Sequence, residues 1–157
     1  MADPEEDPRL RLAYDEGFRV LNLQRDDLER LRTRVVTLVS VGSLTAGLLG
    51  GFSGAAELDR SVWFYVGLSA FGVLVFCVCM ILAPHTTVFE TDPRVILEQY
   101  VDAGRDWNDT LRWCAHYAGV NADTNKEKLD FLVRIYLLAV IALGVLIAGF
   151  TLALTTG

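Results

Sequence analysis

The sequence predicts an all-α integral membrane protein with three transmembrane helices and a small cytosolic helical platform. Three observations predict it. The 157 residues are 52% apolar and 22% charged, and the two classes alternate in long stretches instead of mixing. That segregation belongs to a membrane protein with cytosolic parts. Three stretches, 35–56, 62–83 and 135–154, hold no charged residue, and twenty residues of helix cover about 30 Å, the thickness of a bilayer's hydrocarbon core. Lysine and arginine number seven in residues 1–34, one (Arg60) in 57–61, six in 84–134 and none after 154. Three spans require alternating sides, and the counts alternate in step. The positive-inside rule then predicts a cytosolic N-terminus and middle segment, and an external connection and C-terminus.

Taken in order, the chain opens on MADPEEDPRL, which is too acidic and polar for a cleavable signal peptide. Residues 1–7 are expected to be disordered. Asp7 followed by Pro8 predicts a helix start, with a side-chain acceptor at the cap and proline at the first helical position. From there, 8–34 reads as one cytosolic amphipathic helix. Tyr14, Leu21, Leu28 and Val35 recur every seven residues, with Leu10, Phe18 and Leu31 beside them. Gly17 and Gln24 interrupt the second row. This stripe fits packing on another helix of the same chain, or a parallel coiled coil between protomers.

The first span is predicted over 35–56, with Arg30, Arg32 and Arg34 before it. Gly42, Ala46, Gly50 and Gly54 lie on one face, and Ser43, Gly47 and Gly51 on the next. Small residues let helices approach closely in lipid, where the hydrophobic effect does not drive association. Gly42, Ala46, Gly47, Gly50 and Gly51 are therefore candidate helix-packing residues, toward the chain's own bundle or a second protomer. Fraying is expected at Gly50-Gly51. A short connection, Glu57 to Ser61, leads to the second span, 62–83. Trp63 and Tyr65 open it and Pro84 ends it, which makes an antiparallel hairpin.

Segment 84–128 is a cytosolic helical segment. Thr91-Asp92-Pro93 predicts a short helix that Gly104 ends. Asp106 to Ala118 predicts another, stopped by Gly119. Thr124-Asn125-Lys126-Glu127 fits a capping box, and no breaker follows before Gly144. A new helix should therefore start at Asn125 and run into the last span, 129–154.

The chemistry-bearing residues are few. There are two histidines, His85 and His116, and no metalloprotease, nucleophile-elbow, phosphate-loop or dinucleotide motif. No catalytic residue, metal ligand or cofactor is expected, and no enzymatic activity. Cys77, Cys79 and Cys114 form neither a disulfide framework nor a zinc pattern. A net charge of −6 without a basic run argues against nucleic acid as a partner. Uncharged spans argue against an ion-coupled transporter. One cluster stands out in the cytosolic part: Arg94, Arg105 and Arg112 with Trp107, Trp113 and Tyr117, joined by Tyr100. Arginines hold phosphates and aromatic rings stack bases, so these six are candidate ligand-binding residues. The same side chains also suit a small core, interface anchors or lipid-headgroup contacts.

The plan of the chain resembles the membrane effectors of bacterial Pycsar anti-phage systems. The resemblance is carried by LERLRTRVVTLVSVGSLTAGLLGGF (Leu28 to Phe52) and NKEKLDFLVRIYLLAVIALGVLIAGF (Asn125 to Phe150). Where that family often has an Asp-x-Lys-Ala pattern before its first span, this chain has Arg30 to Arg34. The resemblance implies a multi-pass protein of the bacterial inner membrane that binds a cyclic pyrimidine nucleotide (cUMP or cCMP) made by a partner cyclase. It then oligomerises and impairs the membrane, in abortive infection. Two-span effectors of the SLATT type are similar in plan. A ligand-free structural or interaction protein that oligomerises through the small-residue faces, and a channel, are the other readings of the same residues.

Overall fold

The computed structural model describes residues 7–53, 62–84 and 106–156, with single positions 87, 94, 98 and 104 between them; the side chains of 49–53, 154 and 156 lie outside that description. Most of the described residues are helical, and none of them forms a strand. Three helices follow one another: α1 (Pro8–Ser53), α2 (Val62–Leu82) and α3 (Trp107–Thr156). Their contacts divide into two compact units. One is Met1–Leu28 with His85–Asp130, and the other is Glu29–Pro84 with Phe131–Gly157. Both α1 and α3 contribute residues to each.

The predicted start of α1 is present. The Asp7 carboxylate accepts the Arg9 N–H at 2.9 Å. The Asp7 carbonyl accepts from Leu10 and Arg11. Asp7 is itself tied down, donating its N–H to Asn108 Oδ1 at 3.1 Å. The expected disorder therefore does not extend to residue 7; residues 1–6 lie outside the described part. The boundary drawn at residue 34 is no break, and neither is Gly50-Gly51: α1 stays helical to Ser53. Its last predicted residues, 54–56, and the connection 57–61 are not described.

In the first unit, α1 and α3 run parallel. Asp7 meets Asn108, Gly17 meets Ala118, and Gln24 Nε2 donates to the Ala122 carbonyl at 2.8 Å. The partners keep a nearly constant offset along both helices, which only parallel helices do. The core is Leu21 against Ala118 and Ala122, with Val20 beside it. The heptad stripe is thus packed within the chain. Its two interruptions are fitted to the partner: a Cβ on Gly17 would lie 2.8 Å from that of Ala118, and Gln24 is hydrogen-bonded.

The three-part reading of 106–154 is corrected. No helix stops at Gly119 and none starts at Asn125, because α3 is continuous from Trp107 to Thr156. Thr124 is not a cap. Its hydroxyl donates backward to the Val120 carbonyl at 3.0 Å, as a threonine inside a helix does. The reason is tertiary. Leu111, Ala118 and Asn125 are buried at seven-residue spacing across the expected break, and this packing outweighs the roughly 1 kcal/mol a helical glycine costs. The short helix predicted after Thr91 lies outside the described residues. Gly104, expected to end it, has φ +63°, the left-handed backbone a helix-ending glycine adopts.

In the second unit, α2 and α3 are antiparallel: Phe64 and Gly67 meet Phe150, and Ala70 packs on Leu146. The crossing is close because two glycines face each other. A Cβ on Gly149 would lie 3.1 Å from the Gly67 nitrogen and 3.2 Å from the Trp63 carbonyl oxygen. Phe64 and Phe150 meet edge to face at 5.8 Å. From α1, Val35 and Gly42 are buried here, and a Cβ on Gly42 would meet Leu74 Cδ2 at 2.6 Å. Helix α2 ends one residue before the predicted 83: Leu82 is its last residue, with Pro84 two residues on.

Two helices are long and apolar enough to cross a membrane, α2 and the stretch Trp107–Ala153 of α3. Only 33% and 22% of their most apolar windows are buried, whereas the core helix of a soluble fold is mostly buried. Leu68, Phe76 and Ile141 point outward, which gives the unit an apolar exterior. The third expected span is not matched at this length.

Candidate functional site

The cytosolic cluster expected from the sequence divides in the structure. Trp113 and Tyr117 come together, their ring centroids 4.4 Å apart at 44°. His116 adds an edge contact to Tyr117 at 5.9 Å. Arg112 is exposed next to them, and Arg94 is exposed on its own short described segment. Arg105 and Tyr100 lie outside the described residues. Trp107 is not part of this ridge. Six residues before Trp113, it is turned about 120° away around the helix.

Trp107 instead lines a cleft between the first turns of α1 and α3, of about 220 Å³, with Arg11, Tyr14, Thr110, Leu111 and Cys114. The parallel pairing builds this cleft: the Asp7–Asn108 hydrogen bond sets the two helix starts side by side. Leu111 and Cys114 form a buried apolar floor. Burial pushes the Cys114 thiol up, so it stays protonated at neutral pH and offers no thiolate. Tyr14 and Trp107 supply aromatic faces, and Tyr14 is steadied by Phe18 at 4.7 Å. Thr110 is buried and its hydroxyl donates to the Asp106 carbonyl at 3.3 Å. Arg11 brings positive charge to the cleft. Its Nε donates to Asp15 Oδ2 at a long 3.4 Å, with both side chains more than half exposed.

Sequence reasoning missed Arg11, Tyr14 and Thr110. Tyr14 was read only as a stripe residue. The available signal was the seven-residue repeat itself: a stripe on α1 and a matching one on α3 would have paired their first turns.

Among the helix-packing candidates, Gly42 faces the chain's own bundle, and Ala46 is half-buried. Gly47 is exposed, and a Cβ there would meet nothing within 4 Å. The side chains of 50 and 51 are outside the described part. Among the described residues, no group of three His, Cys, Asp or Glu side chains is placed to hold a metal ion.

Comparison with protein-family models, curated proteins and solved structures finds no match to this chain.

Proposed function

We propose that this protein is a ligand-gated membrane effector with three spans: the second unit sits in the bilayer of the bacterial inner membrane and the first unit faces the cytosol. The observation that carries this reading is the contrast in surface chemistry. The second unit presents leucine, isoleucine, valine and phenylalanine outward. The first unit carries charged, solvated helices around a polar-rimmed cleft. Two helices, α1 and α3, contribute to both, so an event at the cleft has a physical route into the span. In this reading the apolar run 35–56 supplies the third span, and the alternation of lysine and arginine supports an N-terminus inside and a C-terminus outside. By its resemblance in plan to Pycsar effectors, the ligand is a cyclic pyrimidine nucleotide, and the outcome is oligomerisation and loss of membrane integrity during phage infection.

The test is dye leakage from phosphatidylethanolamine–phosphatidylglycerol vesicles containing the purified full chain. Cyclic UMP or cyclic CMP should trigger release that cyclic AMP does not. Absence of triggered release with either would refute the gating.

A second reading is a ligand-free structural protein that oligomerises through the small-residue face of α1. The open space at Gly47 favours it. In that case Gly47→Leu breaks up a constitutive oligomer in detergent, measured by light scattering, while dye release is independent of nucleotide.

A further inference from the structure

We propose that the cleft between the first turns of α1 and α3 is a binding site for a single planar nitrogen heterocycle bearing an anionic group, the ring inside and the anion at Arg11. The proposal rests on the ligand-gated reading above but assigns it to residues other than the Arg112–Trp113–Tyr117 ridge.

Size comes first. A cleft of about 220 Å³ is smaller than the roughly 300–1,000 Å³ of sites that enclose a drug-sized molecule. It takes one ring system and leaves the rest of the ligand at the mouth. The walls then choose the ring's character. Tyr14 and Trp107 offer π faces, and Leu111 and Cys114 offer an apolar floor. Stacking on such side chains tolerates any flat ring.

The polar groups are directional. The Thr110 hydroxyl makes only a long 3.3 Å contact to the Asp106 carbonyl, so it can turn to accept from or donate to a ligand. The matching edge of the ligand carries a hydrogen-bonding nitrogen or oxygen. Arg11 can only donate, so the group it meets must be an acceptor, and an anion is preferred. The guanidinium's existing contact to Asp15 is long and exposed. Exposed ion pairs of that kind contribute about 0–1 kcal/mol, so this pair by itself does not hold the guanidinium away from an incoming phosphate or carboxylate. Asp106 and Asp109, at the start of α3, are both exposed. They disfavour a multiply charged anion and favour one with a single charge.

A flat ring with a hydrogen-bonding edge and one negative charge is chemistry that a cyclic mononucleotide supplies. Two groups carry the recognition: the Thr110 hydroxyl buried beside the ring and the Arg11 guanidinium at the rim.

The experiment is equilibrium binding to the full chain in detergent, by calorimetry, with cyclic UMP, cyclic CMP, cyclic AMP and cyclic GMP, and inorganic phosphate as an anion without a ring. At least one cyclic nucleotide is expected to bind, and phosphate to bind far more weakly. Arg11→Gln should weaken binding about 10- to 100-fold, the loss of one charge-assisted hydrogen bond. Trp107→Ala should weaken it about 5- to 100-fold, the range for one stacking side chain. Both side chains are exposed enough that the fold survives, which circular dichroism checks. Thr110→Val keeps the volume and should weaken binding about 5- to 10-fold. Arg112→Gln should leave affinity unchanged. If a nucleotide binds but Arg112→Gln abolishes binding while Arg11→Gln does not, the site assignment falls and the ligand-gated reading stands. If phosphate binds as tightly as any nucleotide, the ring has no part and the proposal fails. If none of the four nucleotides binds, both the site and the nucleotide reading fall.

Discussion

Gly149→Ala adds one methyl group where two helices cross, and the consequence can be worked from distances. The new Cβ would lie 3.1 Å from the Gly67 nitrogen, 3.2 Å from the Trp63 carbonyl oxygen and 3.3 Å from the Gly67 Cα. Comfortable carbon contacts lie at about 3.5–4.0 Å. All three obstacles are backbone of α2, which has no rotamer to change, so α2 and α3 must part by about 0.3–0.5 Å. A gap of about 0.5 Å already forfeits a quarter of the dispersion well for the atoms it separates. The neighbouring Phe64–Phe150 edge contact is worth about 0.5–1.5 kcal/mol when intact. Overpacking of this kind costs about 1–3 kcal/mol, and a central value of about 2 lowers the folded-to-unfolded ratio roughly 30-fold. Gly144→Ala is the control. It lies five residues earlier on the same helix, is exposed, and its new Cβ meets nothing within 4 Å. Alanine there gains up to about 1 kcal/mol of helix propensity. The assay is unfolding by SDS titration in dodecylmaltoside micelles, followed by circular dichroism. The midpoint should fall for Gly149→Ala and hold or rise for Gly144→Ala. Equal shifts of the same sign would refute the claim that backbone contact limits this crossing.

Three further outcomes are expected. In the first unit, Gly17→Ala should destabilise by about 1–3 kcal/mol, because its Cβ would lie 2.8 Å from that of Ala118; Gly119→Ala, with open space around it, should stabilise by about 0.5–1 kcal/mol. Gln24 Oε1 is buried without a hydrogen-bond partner while Nε2 serves the Ala122 carbonyl, so Gln24→Met should stay within about 1 kcal/mol of the parent in the same titration. The Arg19 side chain, by donating at 2.7 Å, lowers the Glu16 carboxyl below its usual 4.5. The stability this pair adds is present above the unfolded value and lost as pH falls through the lowered one. Thermal midpoints of the parent and Glu16→Gln should therefore differ, slightly, above about pH 4.5 and converge as pH falls through the lowered value.

Some of the fold was legible because its causes are local. Asp7 and Pro8 start α1 through the cap carboxylate and proline's fixed φ. Pro84 sits just past the end of α2 for want of an N–H. Tyr14, Leu21, Leu28 and Val35 mark the packed face of α1 because side chains seven apart share a face. Gly119 and Thr124 were misread because their local signals are real but small. A glycine costs about 1 kcal/mol in a helix, and burying Leu111 and its neighbours against α1 outweighs it. The candidate cleft was harder to see. Its Arg11 and Trp107 stand about 100 residues apart in the sequence, and nothing near either residue names the other.

Composition, run lengths and charge placement thus determined that this chain is helical, that it has stretches long and apolar enough to cross a membrane, and which face of α1 packs. These depend on one helix's period and on transfer of side chains out of water. Three things were decided by tertiary structure alone: α1 packs against its own α3, Gly42 and Gly47 serve opposite surroundings, and Tyr14 and Trp107 line one cleft. Each depends on the register between helices, set by contacts such as Gly17 on Ala118 and Gly149 on Gly67. A residue's spacing along its own helix fixes its face, but only the partner helix fixes what that face meets.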